Sequence, residues 1–422
     1  MYITSLYLKN IKCFKELTYN FEDDKRASLL IAGDNGDGKS TILRSIAISL
    51  CDQWSAAGLL RELSGKFIRD REEEGEIKLG LFISKNKRFE IITYIRSDSK
   101  RTYEYPSRKI NQIYETKESE PIEDSDFDWE RVFATAYGSG LRTIGTEDFQ
   151  RYFTGDSIYS LFRDDVTLQN PELAIRRIST NVVDKSTKTN SREQIKTVQK
   201  ALLAWLSEIL MLSNKSLEVH GTGILVSREG DGERIPLAAE GDGYKALTAL
   251  ILDMLSWWFL YRFNDKKITL DSLKEINGVV IIDEIEQHLH PKLQSKILPS
   301  LKDNFPHVQF IVATHSPLVL SSSRSKALFL ENGQANERKL YGWLAEDVYT
   351  KMGKKHRRAP EIEEELSEFN SLYRKKIEDN MSEQDEENFK RIYKKLKDEL
   401  PLGDPVLETI KLTVMRNSLK DD

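Results

Sequence analysis

The chain has 422 residues, with 63 Lys+Arg against 68 Asp+Glu, a net charge of −5, and a mean hydropathy of −0.50. At roughly 100–200 residues per domain this length predicts two or three domains, or one large domain with insertions. With 39% hydrophobic residues the chain is too apolar to be mostly disordered. Its charge balance excludes a protein that holds nucleic acid through bulk positive charge, while leaving room for a local basic groove. Cys13 and Cys51 cannot form a disulfide framework and fit a reducing cytoplasm. The opening MYITSLYLKNIKCF has no apolar core of the kind a signal peptide needs.

Residues 2–8, YITSLYL, alternate like a strand, and 28–32, SLLIA, form a short buried strand ending at Gly33. Thr41–Leu50 has helical spacing. Residues 76–95 read as a hairpin around the polar turn SKNKR, and 96–130 as an irregular loop or insertion. The polar stretch 185–197 precedes a helical one, VQKALLAWLSEILML. Residues 246–263, ALTALILDMLSWWFLYRF, carry Asp253 and are predicted as a buried helix rather than a membrane span. The runs 278–283, GVVIID, and 308–313, VQFIVA, are continuous and β-branched, as buried parallel strands are. From about 345 the composition turns highly charged, and 361–400 is predicted as two helices broken near Met381–Glu383.

Gly33 to Ser40 reads GDNGDGKS, a full match to G-x-x-x-x-G-K-[ST] between a buried strand and a helix. Such a loop turns backbone N–H groups toward phosphate oxygens, and the following helix adds its N-terminal dipole. The binding candidates are Asn35, Gly36, Gly38, Lys39, Ser40 and Thr41. Lys39 reaches the β- and γ-phosphates, and the Ser40 hydroxyl is a Mg²⁺ ligand. A Gly-rich turn beside a surface lysine is the plainer alternative, and the strand–loop–helix context argues against it. The expected cofactors are ATP and Mg²⁺.

The second half of such a site lies in IIDEIEQHLHP, 281–291. Asp283 ends an apolar strand, where a carboxylate can hold the metal. Glu284 follows as the candidate general base that orients water. His315 in IVATHSP stands beyond the next buried strand, placed to bond the γ-phosphate. A lone histidine is usually structural, but this position favours function. His288 and His290 lack the further ligands that zinc needs, and are read as loop residues packing across a protomer interface.

GDNGDGKST, IIDEIEQHLHP and IVATHSP, in that order, resemble the ATP-binding-cassette ATPases of the RecF, SMC and OLD type. LYLKNIKCF is similar to the first strand of those heads. The resemblance implies an α/β fold: an ABC-ATPase head of P-loop type, with a mixed sheet, an antiparallel β subdomain, a helical insertion and a C-terminal helical tail. The expected divisions are 1–60 and 235–335 for the core, 61–234 for the inserted β subdomain and helical arm, and 336–422 for the helical region. EGDGYKALTALILDML, 240–255, is the candidate signature motif. There Gly241, Asp242 and Gly243 would meet the γ-phosphate held by the other protomer, with Lys245 adding charge. Many relatives have serine where this chain has Gly241. FATAYGSGLRT, 133–143, places Tyr137, Gly138 and Arg142 as candidates near the nucleotide, and either Gln150 or Gln169 as the Q-loop residue.

The tail is too short for a Toprim nuclease of the OLD kind. The compact head looks most like the stand-alone ATPases of bacterial antiphage systems, of the Septu, PARIS and retron-associated type. The resemblance implies a cytoplasmic homodimer or higher even oligomer that controls a separately encoded nuclease or toxin, without a membrane. The alternative is a DNA-repair clamp that binds nucleic acid directly through GKKHRR (353–358) and Arg374–Lys376. A passive scaffold with structural ATP and a transporter ATPase are the other rivals, and the inserted region argues against the transporter.

Overall fold

The computed structural model describes residues 1–400 except 22–27, 85–86, 98–102, 115–117, 141–143, 146–152, 183–191, 213–214, 221–222, 229–233, 263–267, 353–358 and 379. The chain divides into two units, Met1–Val348 and Tyr349–Asp422.

The first unit holds three sheets. Its strands in chain order are β1 (Tyr2–Ile11), β2 (Phe14–Asn20), β3 (Leu29–Gly33), β4 (Glu74–Ser84), β5 (Lys87–Ser97), β6 (Glu104–Ile113), β7 (Glu120–Ile122), β8 (Ala134–Tyr137), β9 (Lys215–His220), β10 (Gly223–Arg228), β11 (Arg234–Pro236), β12 (Gly278–Ile282), β13 (Val308–Ala313), β14 (Ala327–Glu331) and β15 (Gln334–Arg338). One six-stranded sheet runs β15-β14-β3-β13-β12-β8. Every pairing in it is parallel except β14 with β15. All residues of β3, β8, β12 and β13 are buried. This explains their unbroken apolar runs, since a strand covered on both faces has no solvent side to alternate with.

The second six-stranded sheet, β2-β1-β4-β5-β6-β7, is antiparallel throughout. The predicted hairpin is β4 and β5. The expectation of irregular chain over 96–130 is corrected: β6 and β7 lie there. Pro106 and the polar Arg108, Lys109 and Gln112 disguise β6. Proline is tolerated because β7 pairs only with Ile110–Gln112, so β6 is an edge strand at Pro106. The boundary expected at residue 60 runs through this sheet, because β1 pairs with β4. The smaller third sheet is β11-β10-β9.

The helix Lys39–Ser49 lies between the two large sheets, touching β3, β12 and β13 on one side and β1, β4 and β5 on the other. Ile42, Leu43, Ile46 and Ile48 share one core with Leu6, Leu8, Ile77, Leu79, Ile281 and Ile311. Arg108 of β6 closes the C-terminal end of this helix. Its guanidinium is fully buried and donates to the carbonyl oxygens of Ile48, at 2.8 Å, and Cys51, with Asp124 at 3.3 Å. A cation on the last carbonyls of a helix also meets the negative end of its dipole.

The helix Asp242–Tyr261 is buried along nearly its whole length. Among the described residues no helix is long and apolar enough to cross a membrane. The second unit contains the two predicted helices, Pro360–Ile377 and Glu383–Glu399. Phe369, Leu372, Phe389, Ile392 and Leu396 form its core. Ser382 starts the second helix with a reciprocal cap to Asp385.

Candidate functional site

Parallel strands carry their C-terminal ends to one edge of a sheet, where ligands of open α/β sheets bind. Here that edge gathers Gly33 at the end of β3, Asp283 after β12, Thr314 after β13 and Tyr137 at the end of β8. Backbone bonds stitch these ends together. Thr314 N–H donates to Ile31 O at 3.0 Å, Asp283 N–H to Tyr137 O at 2.8 Å, and Ile285 N–H to Ala313 O at 3.4 Å.

The loop Asp34–Gly38 joins β3 to the helix beginning at Lys39. Lys39 is 6% exposed, and its ammonium donates to the carbonyls of Gly33 (3.0 Å) and Asp34 (2.8 Å). Burial pulls its pKa down, against the opposing pull of Asp283, Asp37, Glu284 and Asp34. Asp37 closes the loop by accepting the Asp34 N–H at 2.6 Å. Asn35 and Gly36 are exposed on the loop, and Thr41 is buried in the first turn of the helix.

Ser40 Oγ donates to Asp283 Oδ2 at 2.6 Å, so the structure brings the two expected metal ligands together. A hydroxyl and a carboxylate are the hard oxygen donors that Mg²⁺ takes, and the pair fits that ion. Glu284 follows Asp283 with φ of +50°, a left-handed conformation that glutamate rarely adopts. It is held by the turn in which Gln287 N–H donates to Glu284 O at 3.0 Å. Such strain costs on the order of 1–3 kcal/mol and collects at functional positions.

Glu286 was not legible as a site residue. Its carboxylate accepts from Thr314 Oγ1 at 2.7 Å and from the His315 N–H at 2.5 Å. Arg44 packs behind the loop, its Nε donating to Leu161 O at 3.1 Å. It lies one helical turn past Ser40, where an i, i+4 count alone would have placed it. Burial lowers its pKa, while Asp283 and Asp164 act to raise it.

The signature candidates divide into two environments. Gly241 and Asp242 are exposed, whereas Gly243 is buried. A Cβ on Gly243 would come within 2.6 Å of His288 O, so the start of this helix packs directly on the loop after β12. Gly241 takes φ 127° and ψ 150°, a region essentially reserved for glycine. That conformation accounts for glycine at a position where serine would be strained. The helix N-terminus carries no side-chain cap, leaving backbone N–H groups to serve an anion. His288 is exposed. His290 caps the short helix Pro291–Gln294, its Nδ1 accepting from Lys292 N–H at 3.3 Å.

Tyr137 points its hydroxyl at Asp253 Oδ2 (3.0 Å), inside the fold. Gln169 is buried, and its N–H donates to Asp253 Oδ1 at 2.8 Å. Gly138 packs against Ser160 O, which a Cβ would approach to 2.4 Å. Arg142, Gln150 and GKKHRR lie outside the described residues. Of the other basic cluster, Lys375 pairs with Asp385 at 3.0 Å, and Lys376 lies over the Phe389 ring.

A P-loop, an acidic strand end facing its serine and a parallel sheet define a P-loop ATPase. Over residues 29–321 the chain matches the family described as "AAA domain, putative AbiEii toxin, Type IV TA system". It belongs to that family. It is 25% identical over 393 residues to "Retron Vc95 probable ATPase" of Vibrio cholerae serotype O1 biovar El Tor, covering 78% of this chain and 73% of that protein. It is also 25% identical to "Septu protein PtuA" of Bacillus mycoides (strain KBAB4), covering 81% of this chain but only 42% of that protein. Among solved structures, the SMC head domain from Thermotoga maritima aligns with a TM-score of 0.45 at 18% identity, covering 80% of this chain and 99% of that one.

Proposed function

We propose that this ATPase works as a head-to-head pair and is the regulatory subunit of an antiphage complex, controlling a separately encoded nuclease or toxin. The observation that carries the pairing is the uncapped, exposed start of the helix Asp242–Tyr261 at Gly241 and Asp242. A helix N-terminus of this kind suits a phosphate, and in a pair it would face the γ-phosphate bound by the other protomer. The relatives named after a retron and after Septu support the defence role.

Within one protomer, Lys39 and the loop N–H groups hold the phosphates, and Ser40 and Asp283 hold Mg²⁺. Held by these two residues, Mg²⁺ would supply charge neutralisation for phosphoryl transfer. Glu284 orients water and accepts its proton, while His315 bonds the γ-phosphate. Gly241–Gly243 complete the site from the partner, so hydrolysis requires association.

Two measurements test this. Turnover per chain should rise with protein concentration through the association range. Native mass spectrometry of Glu284→Gln protein with ATP, purified from its own locus, should show an even oligomer with a second polypeptide. Constant turnover per chain together with a monomer in ATP would overturn the pairing. An even oligomer carrying nucleic acid and no second polypeptide would favour the DNA clamp instead.

A further inference from the structure

We propose that Glu286 is a positioning residue that sets His315 against the nucleotide. The proposal rests on the reading of His315 given above and adds the group through which its loop is held.

Both oxygens of the Glu286 carboxylate are engaged by the chain that follows β13. Oε2 accepts from Thr314 Oγ1 at 2.7 Å and Oε1 from the His315 backbone N–H at 2.5 Å. Hydrogen bonds to an ionised acceptor are roughly twice as strong as neutral ones. Two of them, to consecutive residues, fix both the distance and the rotation of the loop. The Thr314 hydroxyl in turn accepts from Ser316 N–H at 3.0 Å. Ser316 Oγ donates to Gln294 Oε1 at 2.7 Å and accepts the Val319 N–H at 3.3 Å, capping the helix that begins at Pro317. A continuous polar chain thus runs from the turn carrying Asp283 and Glu284 to the residues on either side of His315.

The same geometry separates the two glutamates of the turn. Glu286 has committed both oxygens to the β13 loop, so it is poorly placed to take a proton from water. Glu284, held in its left-handed conformation directly after Asp283, keeps the role of base. Glu286 acts one step removed, and any shift of the turn on nucleotide binding moves His315 with it.

A double-mutant cycle in the full chain tests the assignment. Glu286→Gln keeps the size of the side chain but places an amide where one acceptor stood. It should lower kcat about tenfold, the scale of losing an outer partner of a site group. ATP affinity should stay within about twofold. In a His315→Ala background the same change should cost less than about twofold more, since there is no imidazole left to place. Thr314→Val removes the hydroxyl's bonds to Glu286 and from Ser316 N–H but leaves the Glu286 bond to the His315 N–H. It should lower kcat in the same direction by a smaller factor, guarding against a folding defect in the glutamine variant. Losses that multiply across the cycle overturn the proposal, as does a fall in ATP affinity at unchanged kcat. A His315→Ala protein with wild-type turnover would overturn the reading of His315 itself and this proposal with it. Multiplying losses would leave that reading intact.

Discussion

The two large sheets of the first unit have equal strand numbers and opposite duties. The parallel sheet has its central strands β3, β12 and β13 buried on both faces and places the phosphate loop, Asp283, Glu284 and His315 at one edge, where those strands end. The antiparallel sheet contributes Arg108, which closes the far end of the helix that starts at Lys39. One sheet presents chemistry and the other braces the element that carries it. The helix Lys39–Ser49, packed between them, is where the two duties meet. Substitutions on the parallel edge should therefore remove turnover at intact stability, and those in the brace should remove stability first.

The largest effect belongs to the phosphate loop. Lys39→Ala should reduce ATP turnover by on the order of 10³-fold and weaken nucleotide binding in calorimetry. Because the ammonium is buried against backbone carbonyls, the thermal midpoint should change little or rise. A variant that binds ATP as well as the parent would break the assignment of the loop. Next, Glu284→Gln should keep ATP affinity while slowing hydrolysis by on the order of 10²-fold, read in single-turnover assays. Unchanged turnover would move the base elsewhere.

The brace gives the sharper contrast. Arg108→Leu takes the guanidinium from the carbonyls of Ile48 and Cys51 and leaves Asp124 without its cationic partner, holding only the Gln53 N–H. Removing one partner of a buried ionic network costs about 3 kcal/mol, measurable by urea unfolding. If turnover falls while stability holds, the division between the sheets is wrong. Gly241→Ser is a smaller test at the signature motif. It supplies a hydroxyl but forces serine into φ 127°, at about 2 kcal/mol of strain. A lowered unfolding midpoint is the expected outcome, and an unchanged one would mean the loop relaxes.

What could be read in advance follows the same contrast. A strand buried on both faces writes itself as an apolar run, so β3, β12 and β13 were plain, and the motifs at their ends named Lys39, Ser40, Asp283 and Glu284. Their meeting is visible in the Ser40–Asp283 bond. The strand β6 was hidden because it hosts a buried arginine and a proline at an unpaired edge. Glu286 was hidden for another reason. Its role depends on β13 lying beside β12 in register, which no local pattern states. Gly243 looked like a phosphate contact from sequence, whereas its missing Cβ also makes room for the His288 carbonyl.

The smallest predicted effect concerns Asp253, buried in the helix Asp242–Tyr261 behind the edge of the parallel sheet. Burial raises its pKa from 3.8 to about 6, although donors from Gln169, Tyr137 and Trp257 pull the other way. The folded protein therefore binds this proton more tightly than the unfolded chain does. The stability linked to it is complete below about pH 4 and is lost as pH rises through about 6, following the difference in bound protons. Asp253→Asn has no proton to lose. The wild type should thus fall behind the variant by on the order of 1–2 kcal/mol between pH 4 and pH 7, read as the difference in unfolding free energy at each pH. Titration of the other carboxylates cancels in that difference. A gap that stays flat with pH would show that the Tyr137 and Gln169 donors outweigh burial and keep the carboxylate ionised throughout. A gap that opens as predicted would show that Asp253 is protonated in the folded protein to a higher pH than in the unfolded chain, so that burial outweighs the Tyr137 and Gln169 donors.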